Sequence, residues 1–144
     1  MSNRPRSWIL AGSPDFEGDV LSGEAGSILE QDPDTTVGID VALFSIDVLR
    51  RQTDETRMVL GVPVLAVEIL SPNDGHEEIR EKIVEYLRTG VQMIWEVDPD
   101  FRTVRVYRQN HEPVMFNRKQ TLTGDDVLPG FEVAVADFFP DWSA

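Results

Sequence analysis

The sequence predicts an α/β fold: one domain built on a central mixed β-sheet flanked by helices. Three observations predict it. Apolar, β-branched runs of strand length recur at Thr36–Phe44, Val62–Leu70, Val91–Asp98 and Thr103–Arg108. One stretch of helical period, with Ile79, Ile83, Tyr86 and Leu87 on one arc, separates the second run from the third. The 144 residues suit one domain with a real core, and they contain no repeat, low-complexity tract or internal linker.

Each element has its own justification. Gly12 to Gly26 is rich in Gly, Ser, Pro and acids and reads as loop, so residues 1–26 are expected to form a flexible or partly irregular arm. Ser27–Gln31 reads as a short strand and the Asp-Pro-Asp at 32–34 as a turn. Thr36–Phe44 is a strand by its β-branched content. Leu49–Met58 is polar enough for a loop or short helix over the sheet. Val62–Leu70 is apolar on both faces, as a central strand covered on both sides requires. The helix opens with Asp74 as expected N-cap and Glu77 at capping-box spacing. It closes with Arg88 in the last turn and Gly90 just beyond. Residues 91–98 and 103–108 flank a Pro99-Asp100 turn and read as neighbouring strands. Pro113–Asn117 reads as a strand, Leu122–Gly130 as loop, and Phe131–Val135 as a last strand before a short turn.

Charge and composition exclude several classes. The formal charge is 13 − 26 = −13, which argues against a broad electrostatic grip on nucleic acid. The charge is uneven: no Lys or Arg falls between Arg6 and Arg50, whereas Arg102, Arg105, Arg108, Arg118 and Lys119 cluster with only Glu112 among them. An acidic metal-binding side next to a basic strip is one reading, and two solvated surfaces the other. The absence of cysteine excludes disulfides and thiolate metal sites. No apolar run reaches the roughly 20 residues that span a bilayer, and Met1–Leu10 makes no secretory signal, so a cytoplasmic location is expected.

One residue breaks the pattern of the central strand. Glu68 lies among Val64, Leu65, Ala66, Val67, Ile69 and Leu70, and an ionised carboxylate there is costly without a cation or donors to meet it. Alternation sets Val64, Ala66, Glu68 and Leu70 on one face. Asp40 is the acid of the other apolar strand, and if the strands are neighbours the two carboxylates converge at one sheet edge. Such a pair suits Mg²⁺, which takes one or two carboxylates, keeps waters and binds phosphate oxygens. Lys82 flanks the apolar arc of the helix beside Ile79 and Tyr86, from where its ammonium can reach that edge. The competing reading is an ordinary i, i+4 surface pair with Glu78.

Other polar and aromatic residues have plainer readings. Trp95, Phe131 and Tyr107 read as core or sheet-cover aromatics, and Ser71 as a turn residue without a His/Asp relay. His76 and His111 read as exposed turn or loop residues. Arg105 and Arg108 suit phosphate contacts or edge-strand solubility equally. No Gly-rich phosphate loop or zinc signature is present.

Taken together, "ID" at 39–40, "VEILSP" at 67–72, "EEIREKIVEYLRTGV" at 77–91, "IWEVDP" at 94–99 and "LPGFEV" at 128–133 resemble the Uma2 family, over roughly Ile39 to Phe139. That resemblance implies the restriction-endonuclease-like PD-(D/E)XK fold and a metal-dependent endonuclease that hydrolyses DNA phosphodiesters with Mg²⁺ or Mn²⁺. By the same resemblance Asp40 and Glu68 match the metal-binding acids, Lys82 the catalytic lysine borne on the helix, and Glu78 a supporting position that is usually Asp. Leu70 stands where the parent motif places its lysine, and Ile39 where the family usually has proline. The N-terminal section is shorter than is usual in the family. Glu24, then Glu17, are the positional candidates for a further acid there. DNA as partner and a homodimer follow as expectations. The alternative is a catalytically silent nuclease-like module for binding or assembly.

Overall fold

A computed structural model describes residues 18–31, 35–52, 58–71 and 75–139 of the chain. Seven strands form one mixed sheet: β1 (Gly18–Glu30), β2 (Thr35–Ser45), β3 (Val59–Leu60), β4 (Leu65–Ile69), β5 (Met93–Asp98), β6 (Thr103–Arg108) and β7 (Val114–Asn117). Their order across the sheet is β3-β1-β2-β4-β5-β6-β7. β4 is central, antiparallel to β2 and parallel to β5. A parallel neighbour needs a crossover, and the helix α2 (His76–Thr89) supplies it; a shorter helix, α1 (Ile46–Arg50), follows β2.

The apolar faces of β4 divide the core as alternation requires. Leu65 and Val67 pack with Met93, Trp95, Val104 and Val106 on one side. Ala66 packs with Ile79, Ile83, Tyr86 and Ile94 beneath α2 on the other. Burying this much apolar surface, at about 25 cal/mol per Å², is the main favourable contribution to folding. The helical cover lies on the α2 side. The opposite face is covered by a second, two-stranded sheet, β8 (Thr121–Thr123) with β9 (Glu132–Ala134), and by a 3-10 turn at Val135–Phe138. Trp95 stacks there at 5.4 Å from Phe131 and meets Phe138 edge-on at 6.0 Å.

Four boundaries differ from expectation. Residues 18–26 are strand rather than loop, so the expected arm is cut back to the residues before Gly18, which lie outside the described set. The cause is pairing rather than propensity: β1 runs against β2 from Gly18↔Ser45 to Glu30↔Thr35, with irregularities after Ser22 and Ile28. The segment expected to begin at Leu49 is helical from Ile46, because the Ser45 hydroxyl accepts from Val48 N and caps it. The loop expected at Leu122–Gly130 opens as β8, and the last strand is correspondingly short, ending at Ala134. The N-cap of α2 is Gly75, without a side-chain cap; Asp74 and the turn at 32–34 lie outside the described residues.

The C-terminal end of α2 is closed as its sequence predicts. Gly90 adopts φ +105°, its N–H donates to Leu87 O, and Val91 N–H donates to Tyr86 O at 2.9 Å. This double closure needs a left-handed residue, which glycine supplies without a Cβ penalty. Arg88 then grips Glu30 of β1 through both Nη atoms, at 3.1 and 2.7 Å, and ties the helix end to the sheet.

Candidate functional site: a buried carboxylate met by a lysine and a tyrosine

Glu68 is 2% exposed and is the buried charged residue among the described residues. Both of its oxygens have a donor from α2. Lys82 Nζ donates to Oε1 at 2.7 Å, and Tyr86 Oη donates to Oε2 at 2.6 Å. Positions 82 and 86 are one helical turn apart, so both point at the same strand residue. Lys82 also donates to the Gly38 carbonyl at 2.8 Å, strapping α2 across β2 and β4. Its side chain keeps 30% exposure, so the ammonium sits at the boundary between core and solvent.

Asp40 completes the arrangement. β2 and β4 pair with Val41 opposite Val67, which sets Asp40 beside Glu68 on adjoining strands. Asp40 Oδ2 accepts the Ile69 N–H at 2.8 Å, while Oδ1 carries no hydrogen bond among the described residues. Burial pushes the Glu68 carboxyl above the ordinary carboxylate range; the Lys82 and Tyr86 hydrogen bonds pull it back, and the charge of Asp40 adds to the rise. Burial, then the adjacent Glu68 charge, push the Tyr86 phenol upward as well, so it remains a donor.

The donor set can be tested against the metal that the resemblance implies. No group of three or more His, Cys, Asp or Glu side chains among the described residues is gathered for an ion. The pair Asp40–Glu68 offers hard oxygens in the number that Mg²⁺ takes from protein, with water or phosphate completing its shell. Among the described residues each Glu68 oxygen has one donor and so keeps a lone pair, and Asp40 Oδ1 accepts none. The residues therefore fit a two-carboxylate magnesium or manganese site.

Asp40, Glu68 and Lys82 are brought together. Glu78 is exposed on the first turn of α2, and Lys82 reaches Glu68 instead of pairing with it. Glu24 lies on β1 where the register slips between Ser22↔Val41 and Ala25↔Ile39, across from Asp40; its side chain and all of Glu17 are outside the described residues. His76, Ser71 and His111 are exposed. Arg108 is engaged by Asp125 and Asp126, which removes it from the basic strip. Arg105 stays on the α2 side, in a groove of about 500 Å³ shared with His76, Arg80, Glu96 and Tyr107. Helical periodicity marks Tyr86 only as core, and its i, i+4 spacing from Lys82 is the signal in the sequence for its second role.

The family model described as "Uma2: Putative restriction endonuclease" matches residues 11–136. The crystal structure of a "putative nuclease belonging to DUF820 from Anabaena variabilis ATCC 29413" is similar, with a TM-score of 0.75 and 22% identity. The match covers 92% of this chain and 73% of that one, and at this identity it carries the fold alone. The search of curated proteins gives no match.

Proposed function

The chain belongs to the Uma2 family, and from that premise and the geometry of Asp40, Glu68 and Lys82 we propose that it is a metal-dependent endonuclease acting on DNA. One observation carries the proposal: a carboxylate buried in a central strand is met by the lysine of a crossover helix, with a second carboxylate on the adjoining strand. Purely structural folding rarely retains such a costly group, because an apolar residue of similar volume is often as stable or more so. In this reading Asp40 and Glu68 hold Mg²⁺ or Mn²⁺. When bound, the ion supplies charge neutralisation on the phosphate and a more acidic water. Lys82, half in solvent, adds positive charge beside the phosphate and orients the carboxylate. Tyr86 is a positioning residue: it fixes the Glu68 rotamer from below.

A second reading rests on a different observation. Both Glu68 oxygens already have donors, and Asp40 and Glu68 stand as a pair without a third described acid. That arrangement also fits a silent module in which Lys82 neutralises the Glu68 carboxylate and Tyr86 hydrogen-bonds it. Titrating Mn²⁺ and Mg²⁺ by calorimetry into wild type and Glu68→Gln, followed by plasmid nicking, separates the two. Binding and nicking lost together in the variant support the nuclease. A folded wild type that neither binds metal nor nicks sinks it and leaves the silent module.

A further inference from the structure

We propose that the β5–β6 and β7–β8 turns form a holding site for a single-stranded DNA segment, with Phe101 stacking a base and Arg102, Arg118 and Lys119 on the phosphates. The inference rests on the nuclease reading for its choice of ligand. Its own support is the placement of these four side chains.

Phe101 is 80% exposed, the most exposed of the large apolar residues described. It is held out rather than left loose: the Asp98 carboxylate accepts from Asp100 N at 2.9 Å and from Phe101 N at 3.2 Å, fixing the turn. Arg102 follows at φ +55°, an uncommon conformation for a side-chain-bearing residue. The opposite turn is also ordered. Lys119 N donates to Asn117 Oδ1, and Asn117 N donates to Gln120 Oε1, both at 2.8 Å. Between the turns lies a concavity of about 470 Å³ lined by Asp100, Phe101, Arg102, Asn117, Arg118 and Lys119.

The composition of this concavity departs from the rest of the molecule. Three cations face one carboxylate, in a chain of net charge −13. Exposed aromatic faces between cations are what single strands bind: a base stacks on the ring, and the phosphates meet the charges without sequence preference. A paired base presents no free face, so the site favours an unpaired segment.

Topology puts this concavity on the same edge of the sheet as Glu68. β4 and β5 run parallel and end at Ile69 and Asp98; antiparallel β6 starts at that edge with Thr103, and β7 ends there with Asn117. β7 is three strands from β4, a lateral spacing of about 14 Å. Phe101 also lines a smaller hollow that reaches the end of β4 at Leu70 and Ser71, with Glu96, Asp98 and Asp100 on its wall. A strand lying along this edge would pass from Arg118 over Phe101 toward the end of β4.

The test is fluorescence anisotropy with a labelled oligodeoxythymidine of about 12 nucleotides, in EDTA at about 50 mM NaCl. Wild type should bind saturably. Phe101→Ala and the pair Arg118→Ala/Lys119→Ala should each weaken binding about tenfold, and the latter should flatten the salt dependence. Arg50→Ala/Arg51→Ala removes the same charge from exposed positions on the far side of the sheet order and should change nothing. No binding by wild type, equal binding by the turn variants, or an equal loss in the Arg50/Arg51 control would overturn the inference. Duplex competing as well as single strand would overturn it too. Strand binding through the turns without any metal-dependent nicking would sink the nuclease reading and leave this site standing. Nicking that the turn substitutions leave untouched, in KM and in rate, would do the reverse.

Discussion

Lys82 Nζ and Glu68 Oε1 meet at 2.7 Å across fourteen residues of sequence, one on a helix and the other on the strand that precedes it. The strand supplies a charge that the core cannot hold alone, and the helix returns the charge that answers it. Lys82→Met should therefore cost about 2 kcal/mol at neutral pH, at the low side for a broken buried pair because Lys82 is partly exposed and Glu68 can take up a proton. Urea unfolding measures it. The loss should shrink as pH falls and Glu68 takes up that proton, and Lys82→Met/Glu68→Gln should recover most of it. A double variant no better than the single would mean that the lysine acts through packing alone.

The raised Glu68 carboxyl fixes the sign of a pH dependence. Its partners in this are Lys82, Tyr86 and Asp40. The folded state holds the proton more tightly than the unfolded chain, so between the ordinary value of 4.5 and the raised one it binds more protons. Stability contributed by this group is thus full below the ordinary value and is lost as pH rises through the raised one, at up to about 1.4 kcal/mol per pH unit. Glu68→Gln lacks the titration, so wild type should lose stability relative to it as pH increases through this window. In the nuclease reading, Mn²⁺ must displace the same proton, and its affinity should rise with pH over that range. A stability difference between wild type and Glu68→Gln that stays flat with pH would contradict the burial argument.

Tyr86→Phe separates the hydroxyl from the ring. The ring is fully buried and would stay, while Glu68 Oε2 would lose its 2.6 Å donor. A hydrogen bond to a charged group contributes about 2 kcal/mol, and that is the expected destabilisation. Because the donor favours the ionised form, its loss should also move the pH dependence of stability to higher pH. A stability loss with no shift in that profile would show Tyr86 to be core and no more.

The parts of this site differed in how far the sequence disclosed them. Glu68 was legible because an acid in an apolar strand violates the pattern around it, and strand parity gave its face correctly. Lys82 was legible by helical phase, although the same spacing allowed a pair with Glu78 that the fold does not make. Asp40 required knowing that β2 and β4 are neighbours, which periodicity cannot say. Tyr86 was hidden by its own chemistry, since a buried tyrosine reads as ring before hydroxyl. The first half of β1 was hidden for another reason: Gly18, Ser22, Gly23 and Gly26 carry turn signals, and only the long pairing with β2 overrides them.

Leu70 offers the last test. It lies two residues beyond Glu68 on the same strand face, at the end of β4, and is half-buried at the rim of the groove beside His76 and Arg80. Two strand steps separate same-face neighbours by roughly 7 Å, within the reach of a lysine whose stem lies along apolar surface and whose head meets water. Leu70→Lys in the Lys82→Met background should then restore a cation to Glu68 and regain about 1 kcal/mol of the lost stability. Any nicking lost with Lys82 should return in part. Leu70→Lys alone should be mildly destabilising, because two ammonium groups would share one carboxylate. If the double variant is less stable than Lys82→Met by urea unfolding, the strand position cannot serve Glu68 in place of the helix.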